Sequence, residues 1–196
     1  MYQLPLDKIP WEIKKPPLEL VQLLNNKQAN KSRALDIGCG SGNYSIYLAQ
    51  KGFKVTGVDV SKAALKLAER SVKQHKVRIK FIYCDANNLS KSLKGKFDLI
   101  FDYSLLHHIK PSQVSKYASQ FSQLLKRRGK LLLVCYSEKD VLGRKSIIGK
   151  YGNAMYFRTK DEIISLYKSL RSVFYKPARL GKRFQHKAHC FLFEKL

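Results

Sequence analysis

Carboxylates are scarce in this sequence. Asp and Glu number 14 against 38 Lys and Arg in 196 residues, a formal charge of +24. Cysteines are few and solitary: Cys39, Cys84, Cys135 and Cys190 include no Cys-x-x-Cys pair, which excludes the usual zinc knuckle and the dithiol redox couple. Reduced, buried thiols in a cytosolic protein are the expectation. No run approaches the roughly 20 apolar residues that a membrane-spanning helix requires. Met1 to Pro10 has no apolar run behind a basic start, so no secretory leader is read there and a soluble, unprocessed, cytoplasmic chain is expected. Internal repeats and low-complexity tracts are absent too. With 44% hydrophobic residues, the chain has enough apolar side chain for one sizeable core, and a single domain over 1–196 is expected.

The positive charge raises the question of a polyanionic partner such as RNA. Lysine far outnumbers arginine and is scattered, which equally suits solvated faces or a compositional bias of the source proteome. One local concentration stands out. Arg171, Lys176, Arg179, Lys182, Arg183 and Lys187 follow one another with no acidic residue among them, and this is the segment expected to meet a polyanion.

Short apolar runs alternate with stretches of helical periodicity, the pattern of βαβ units on a parallel sheet. Strands are expected at 34–37, 54–58, 78–83, 97–101 and 130–136. Helices are expected at 43–51, from an N-cap at Ser61 to about Gln74, and from Pro111 to near Gly129, where Val114, Tyr117, Ala118, Phe121, Leu124 and Leu125 form one apolar stripe. A flexible linker containing Gly143, Gly149 and Gly152 leads to a helix begun by Thr159, with Asp161 and Glu162 favouring its positive end. Extended segments at 172–179 and 187–193 read as an antiparallel pair closing the sheet. The sum is an α/β fold: a Rossmann-like, doubly wound, seven-stranded and mostly parallel sheet with an antiparallel last strand and helices on both faces. Residues 33–137 form its ligand-binding core, 159–196 its closing elements, and 1–16, with Pro10, Trp11, Pro16 and Pro17, a non-helical segment wrapped over the core.

The first strand ends in Leu35-Asp36-Ile37 and runs at once into Gly38-Cys39-Gly40-Ser41-Gly42-Asn43. Three glycines there allow a sharp turn and a close backbone approach to a ligand. The dinucleotide fingerprint places its third glycine one residue further on, where this chain has Asn43. Asp59 ends the second strand about 20 positions after the glycines, where a carboxylate accepts ribose hydroxyls; capping the next helix is the alternative, a role that Ser61 can also fill. Asp85-Ala86 follows the third strand. The fourth is followed by a cluster of polar side chains in Phe97-Asp-Leu-Ile-Phe-Asp-Tyr-Ser-Leu-Leu-His-His-Ile109.

In order and spacing these features resemble motifs I to IV of the class I S-adenosylmethionine-dependent methyltransferases. Ile9-Pro-Trp-Glu12, the Asp-Tyr-x-x-x-His-His-Ile pattern and the tail Ala188-His-Cys-Phe-Leu-Phe193 are similar to the small-molecule branch that includes thiopurine and tellurite-resistance type enzymes. The resemblance implies S-adenosyl-L-methionine as cofactor. It implies Asp36 at the amino acid end of that molecule and Gly38, Cys39, Gly40, Gly42 and Asn43 packed along it. Asp59 and Val60 then lie at its ribose, Asp85 and Ala86 at its adenine, Asp102 in the fourth motif, and Trp11 over it as a lid. Asp85 as a cap and Trp11 as a staple onto the core are the plainer readings of the same residues. The family often has glycine where this chain has Ser104.

Transfer of a methyl group from a sulfonium by in-line displacement needs mainly positioning and desolvation, with a base when the acceptor is a hydroxyl or a protonated amine. His107, His108 and Tyr103 lie just past the fourth strand, where open α/β sheets build their sites. Adjacent side chains diverge, so at most one histidine is expected to face substrate. No third ligand is spaced to make a metal site with them. A small-molecule acceptor is the first reading. An RNA-modifying methyltransferase using the basic C-terminal segment is the second, although the chain lacks the Asn/Asp-Pro-Pro-Phe/Tyr tetrapeptide of base-amine methylation. A non-catalytic cofactor-binding subunit is the third.

Overall fold

A computed structural model describes residues 9, 13, 15–25, 32–141, 144–149, 152–181 and 186–196. Strands β1 (Arg33–Ile37), β2 (Lys54–Asp59), β3 (Ile79–Tyr83), β4 (Phe97–Tyr103) and β5 (Leu125–Tyr136) alternate with helices α2 (Asn43–Gln50), α3 (Lys62–His75), α4 (Leu89–Ser92) and α5 (Pro111–Leu124). Helix α1 (Leu18–Asn25) precedes them. A hairpin, β6 (Ser146–Ile148) with β7 (Ala154–Tyr156), then helix α6 (Lys160–Leu166) and strands β8 (Arg171–Leu180) and β9 (His186–Glu194) complete the chain. Seven strands make one sheet in the order β3-β2-β1-β4-β5-β9-β8. All pairs from β3 to β5 are parallel, and β9 runs antiparallel to both neighbours.

Alternation along the strands divides the core into two layers. Ala34, Leu99, Phe101 and Leu132 face α1 and α2 through Leu20, Leu23, Leu24 and Leu48. Leu35, Ile100, Leu131 and Leu133 face α5 and α6 through Tyr117, Phe121 and Ile163. Helices α2 and α5 therefore pack on opposite faces, and the chain leaves β1 and β4 toward opposite sides. That divergence opens the crevice in which doubly wound sheets hold their ligands.

Four local expectations are corrected. Helix α5 ends at Leu124 and not near Gly129, because apolar positions stop at Leu125 and Lys126, Arg127 and Arg128 offer nothing to bury; the chain becomes extended from Leu125. Strand β4 continues two residues past Phe101, so Asp102 and Tyr103 are strand residues. The expected linker carries a 3-10 turn at Glu138–Val141 and the β6–β7 hairpin, closed by Gly149 N donating to Asn153 O at 2.8 Å. Helix α1 was not anticipated. Pro17 O accepts from the amides of Leu20 and Val21, and Leu20, Leu23 and Leu24 bury one face, which is sufficient for two turns. Gly143 lies outside the described residues, as does most of 1–16, where Ile9 is buried.

Candidate active site

The loop after β1 is shaped by its glycines. Gly38, Gly40 and Gly42 have φ of 68°, 56° and 85°, a region costly for side chains with a Cβ. Space is equally tight: a Cβ on Gly42 would lie 3.0 Å from Ala68 Cβ and 3.2 Å from Phe81 Cζ. Neighbouring strand β2 holds the loop down. Gly38 N and Cys39 N both donate to Val58 O, at 2.8 and 3.0 Å, and Gly40 N donates to Asp59 Oδ2 at 2.8 Å. The other oxygen of Asp59 accepts from Ser61 N at 2.8 Å, while Ser61 Oγ caps α3 by accepting from Ala64 N. Each Asp59 oxygen keeps a second lone pair, and the residue is half-exposed beside Val60, which is 65% exposed.

Asp36 lies beneath this loop, buried, with Oδ2 accepting from Ser45 Oγ at 2.6 Å. Burial raises its pKa to about 7, and the charges of Asp59 and Asp102 add to the effect against the opposing Ser45 hydrogen bond. A carboxylate so placed favours a cationic group in the crevice. Cys39 is a packed thiol: burial pushes its pKa up, as do the Asp36 and Asp59 charges. Asn43 opens α2 and donates from Nδ2 to Ile13 O at 3.4 Å, linking the N-terminal segment to the site.

The end of β4 makes the opposite wall. Asp102 is fully buried on the α5 side, where Oδ2 accepts from Tyr117 Oη at 2.7 Å and Oδ1 accepts from Leu105 N at 3.2 Å. Burial raises its pKa to about 6 against those hydrogen bonds. Between them Ser104 takes φ 68°, a conformation that favours glycine. Tyr103 points the other way, edge-on to Tyr44 at 5.3 Å and stacked on Phe101, and burial holds its phenol protonated well above the usual range.

The two histidines differ in burial although their rings are in contact, with centroids 4.4 Å apart. His107 is buried, its Nδ1 accepting from Tyr136 N at 3.4 Å and its ring stacked on Tyr136 at 4.3 Å. The ring proton therefore sits on Nε2, which has no partner among the described residues. His108 is exposed and its Nδ1 lies 3.3 Å from Ala154 O, so that nitrogen carries the proton and Nε2 presents a lone pair. Burial lowers both pKa values, His107's far more, with His108 and Arg158 assisting there. Adjacent residues are thus fixed in opposite tautomers.

Other site residues were not singled out from the sequence. Arg158 is buried and donates to Leu106 O (Nη1, 3.2 Å) and Ile109 O (Nη2, 2.8 Å), clamping the histidine turn from 49 residues away. Nothing in local spacing announces it. Tyr136 could have been found as the last residue of a parallel strand, and it bridges His107 to His186, whose Nδ1 lies 2.6 Å from Asp140 Oδ2. Asp85 takes its plainer role as an N-cap, with Oδ1 accepting from Asn87 N at 2.8 Å. Ala86 is half-buried against the α5-side core. Trp11, Lys182 and Arg183 lie outside the described residues. In the basic C-terminal segment, Arg171 lies opposite Glu194 at one end of β8 and Arg179 lies opposite Lys187 at the other. Among the described residues no three His, Cys, Asp or Glu side chains form a metal site, and no helix is long and apolar enough to cross a membrane.

Comparison with known proteins adds to this geometry. Residues 34–129 match the family described as "Methyltransferase domain". An uncharacterized methyltransferase of Schizosaccharomyces pombe is 31% identical over 106 residues, 54% of this chain and 72% of that protein. The ubiquinone biosynthesis O-methyltransferase of Nitrosococcus oceani is 34% identical over 115 residues, 59% of this chain and 48% of that protein. The chain spans about half the length of the curated relatives it matches. Among solved structures, a SAM-dependent methyltransferase of Methanosarcina mazei superposes with a TM-score of 0.76 at 22% identity, covering 88% of this chain and 97% of that one.

Proposed function

Since the chain belongs to the class I S-adenosylmethionine-dependent methyltransferases, we propose that it binds S-adenosyl-L-methionine in the crevice between the β1 and β4 loops and methylates a small-molecule acceptor there. The observation that carries this reading is the glycine loop itself: Gly38, Gly40 and Gly42 are at positive φ, and the amides of Gly38, Cys39 and Gly40 hook onto Val58 and Asp59 of the neighbouring strand.

The residues present fit the cofactor. Gly38, Gly40 and Gly42 leave bare backbone along its length, with Cys39 and Ser41 between them buried. The remaining lone pairs of Asp59 suit two ribose hydroxyls, and the buried Asp36 carboxyl suits the cationic amino end. Cap residue Asp85 and Ala86 sit at the end of β3 for the adenine. When bound, the sulfonium supplies a methyl group already activated for displacement.

The chain's own contribution is to orient the acceptor, exclude water and hold a proton. Between the two histidines, the tautomers favour His108 as the base: its Nε2 carries a lone pair at the exposed rim, whereas His107 directs an N–H into a buried space. Tyr103, kept protonated, serves as wall or donor and not as base. The Tyr136 ring stacked on His107 gives the acceptor pocket a flat apolar side.

Calorimetry with S-adenosylmethionine and its demethylated product tests the first half, with Asp59→Ala expected to weaken binding by at least tenfold. Transfer of labelled methyl groups to fractionated cell extract tests the second. Label in the small-molecule fraction supports the proposal; label confined to RNA or protein overturns it.

A further inference from the structure

Part of the charge excess gathers at the end of the sheet away from the crevice. Parallel pairing places the N-terminal ends of β1 to β5 at one pole, together with the start of β8 and the end of β9. Each of these strand ends carries a basic side chain. Arg78, Lys54, Arg33 and Lys96 introduce β3, β2, β1 and β4, the pair Arg127 and Arg128 lies at the start of β5, and Arg171 opens β8. The carboxylates at these strand ends are Asp98 and Glu194, and both are consumed: Asp98 by Lys126 at 2.8 Å, Glu194 by Lys130 at 2.5 Å and Arg171 at 2.6 Å. Arg127 and Arg128 are exposed and pair with no carboxylate among the described residues.

At the β8 side of this pole the arginines converge. A cleft of about 220 Å³ is lined by Arg127, Arg128, Arg171, Glu194 and Leu196. Arg128 is held in a left-handed conformation, φ 61°, by its amide donating to Lys195 O at 2.8 Å, and such strain in a non-glycine residue persists where the surroundings impose it. Water occupies about 30 Å³ per molecule in the liquid, so the cleft has room for a phosphate group and its first waters. Seven strands at their usual spacing make the pole roughly 30 Å across, the span of several consecutive phosphodiesters.

We propose that this pole is a docking surface for the phosphodiester backbone of a nucleic acid, with the Arg127–Arg128–Arg171 cleft as its anchoring phosphate site. Guanidinium forks match phosphate oxygens in pairs. A lipid surface is the less fitting partner, because membrane-binding faces present large apolar side chains beside their basic ones. Here only Val173 and Leu196 of the six exposed large hydrophobics lie near the pole, while Leu18, Val60, Tyr83 and Ile148 belong to other parts of the fold. Backbone docked at this pole is separated from the crevice by the full length of the strands, so it localises the protein and does not receive the methyl group. The proposal is independent of the acceptor's identity and shares only Arg171 with the basic segment along β8.

Fluorescence anisotropy with a labelled 20-nucleotide RNA, titrated with the full chain at several salt concentrations, is the test. Wild type is expected to bind with log K falling linearly against log salt. Arg127→Ser/Arg128→Gly is expected to weaken binding about tenfold or more at low salt and to flatten the slope by about 1.4, two phosphate contacts on a single strand. A control, Arg179→Ser/Lys187→Ser, should change neither by more than twofold, and calorimetric binding of S-adenosylmethionine should be the same in both variants. No RNA binding by wild type at low salt, an unchanged slope in the arginine variant, an equal loss in the control, or tighter binding to anionic phospholipid vesicles than to RNA would each overturn the proposal.

Discussion

The hydroxyl of Tyr117 donates to Asp102 Oδ2 across 2.7 Å, both groups wholly buried, joining the middle of α5 to the end of β4. Asp102 spends its other oxygen on Leu105 N, so one carboxylate fixes the helix and the turn that bears the histidines. Removing the hydroxyl leaves a buried carboxylate short of a donor. Tyr117→Phe is expected to cost about 1.5–3 kcal/mol in urea denaturation, the range for hydrogen bonds to charged groups. A loss below 0.5 kcal/mol would show that the pair does not hold the turn.

Asp36 and Asp102 both bind protons more tightly in the folded chain than in the unfolded one, since burial raises their pKa values to about 7 and about 6 from 3.8. Between about pH 4 and 7 the native state therefore holds more protons, and unfolding free energy declines as pH rises through that window. Above it the destabilisation is complete. In thermal melts at fixed ionic strength, without cofactor, the two carboxyls should pull the midpoint down from about pH 4 to 7, against His107 and His108, whose lowered pKa values act in the opposite sense. Asp36→Asn should flatten the upper half of that fall. In the same variant S-adenosylmethionine should bind at least tenfold more weakly, because the cationic end loses its carboxylate.

Glycines outside the motif matter as well. A Cβ on Gly57 would lie 2.8 Å from two ring carbons of Phe81 and 3.0 Å from Cys39 Sγ, so β2 makes room for the loop that lies over it. Gly57→Ala is expected to destabilise by about 1–3 kcal/mol through overpacking and to lower cofactor affinity by displacing Cys39. Calorimetry at a temperature where the variant is fully folded separates the two effects. Unchanged affinity there would mean that the loop adjusts without Gly57.

Ser104 is the converse case. Its φ of 68° costs a side chain bearing a Cβ about 1–2 kcal/mol, of which glycine recovers part after its larger loss of unfolded-chain entropy. Ser104→Gly should raise stability by about 0.5–1 kcal/mol, read as a shift of the urea midpoint with m unchanged.

Much of the sheet was legible because its signals are local. Leu35-Asp36-Ile37 followed by spaced glycines, the strand ending at Asp59 and the run from Phe97 each carry their geometry in a few adjacent residues, and they define a strand, a turn or a buried strand by periodicity alone. The different burial of His107 and His108 was not legible, because it is set by the 3-10 turn at Leu106–His108 and by the packing of Tyr136, and their rings stay in contact at 4.4 Å. What escaped is what tertiary packing decides. Arg158 acts on carbonyls about 50 residues earlier, and α5 continues in pattern to Leu125 although the buried layer ends there. Charge was legible as a total, while its distribution in space is set by the topology. Arg171 and Lys187 are close in sequence, yet the β8–β9 hairpin sends them to opposite ends, while Arg78 and Arg128, distant in sequence, share a pole because parallel strands begin there.

The histidine pair gives the sharpest test of the chemistry. If His108 Nε2 takes the acceptor's proton, its neutral form must be present, and burial of the ring lowers its pKa. The rate should then be level through neutral pH and fall only at pH below the ordinary histidine range of about 6.5. His108→Gln is expected to lower kcat by about 10²–10⁴-fold with cofactor affinity retained, and to abolish the acid limb of the pH profile. His107→Gln should act differently, because the buried ring accepts the Tyr136 amide and stacks on its side chain. Stability should drop by about 1–3 kcal/mol while the acid limb persists. Measured kcat against pH for both variants decides between them. An acid limb surviving in His108→Gln and vanishing in His107→Gln would exchange the two roles.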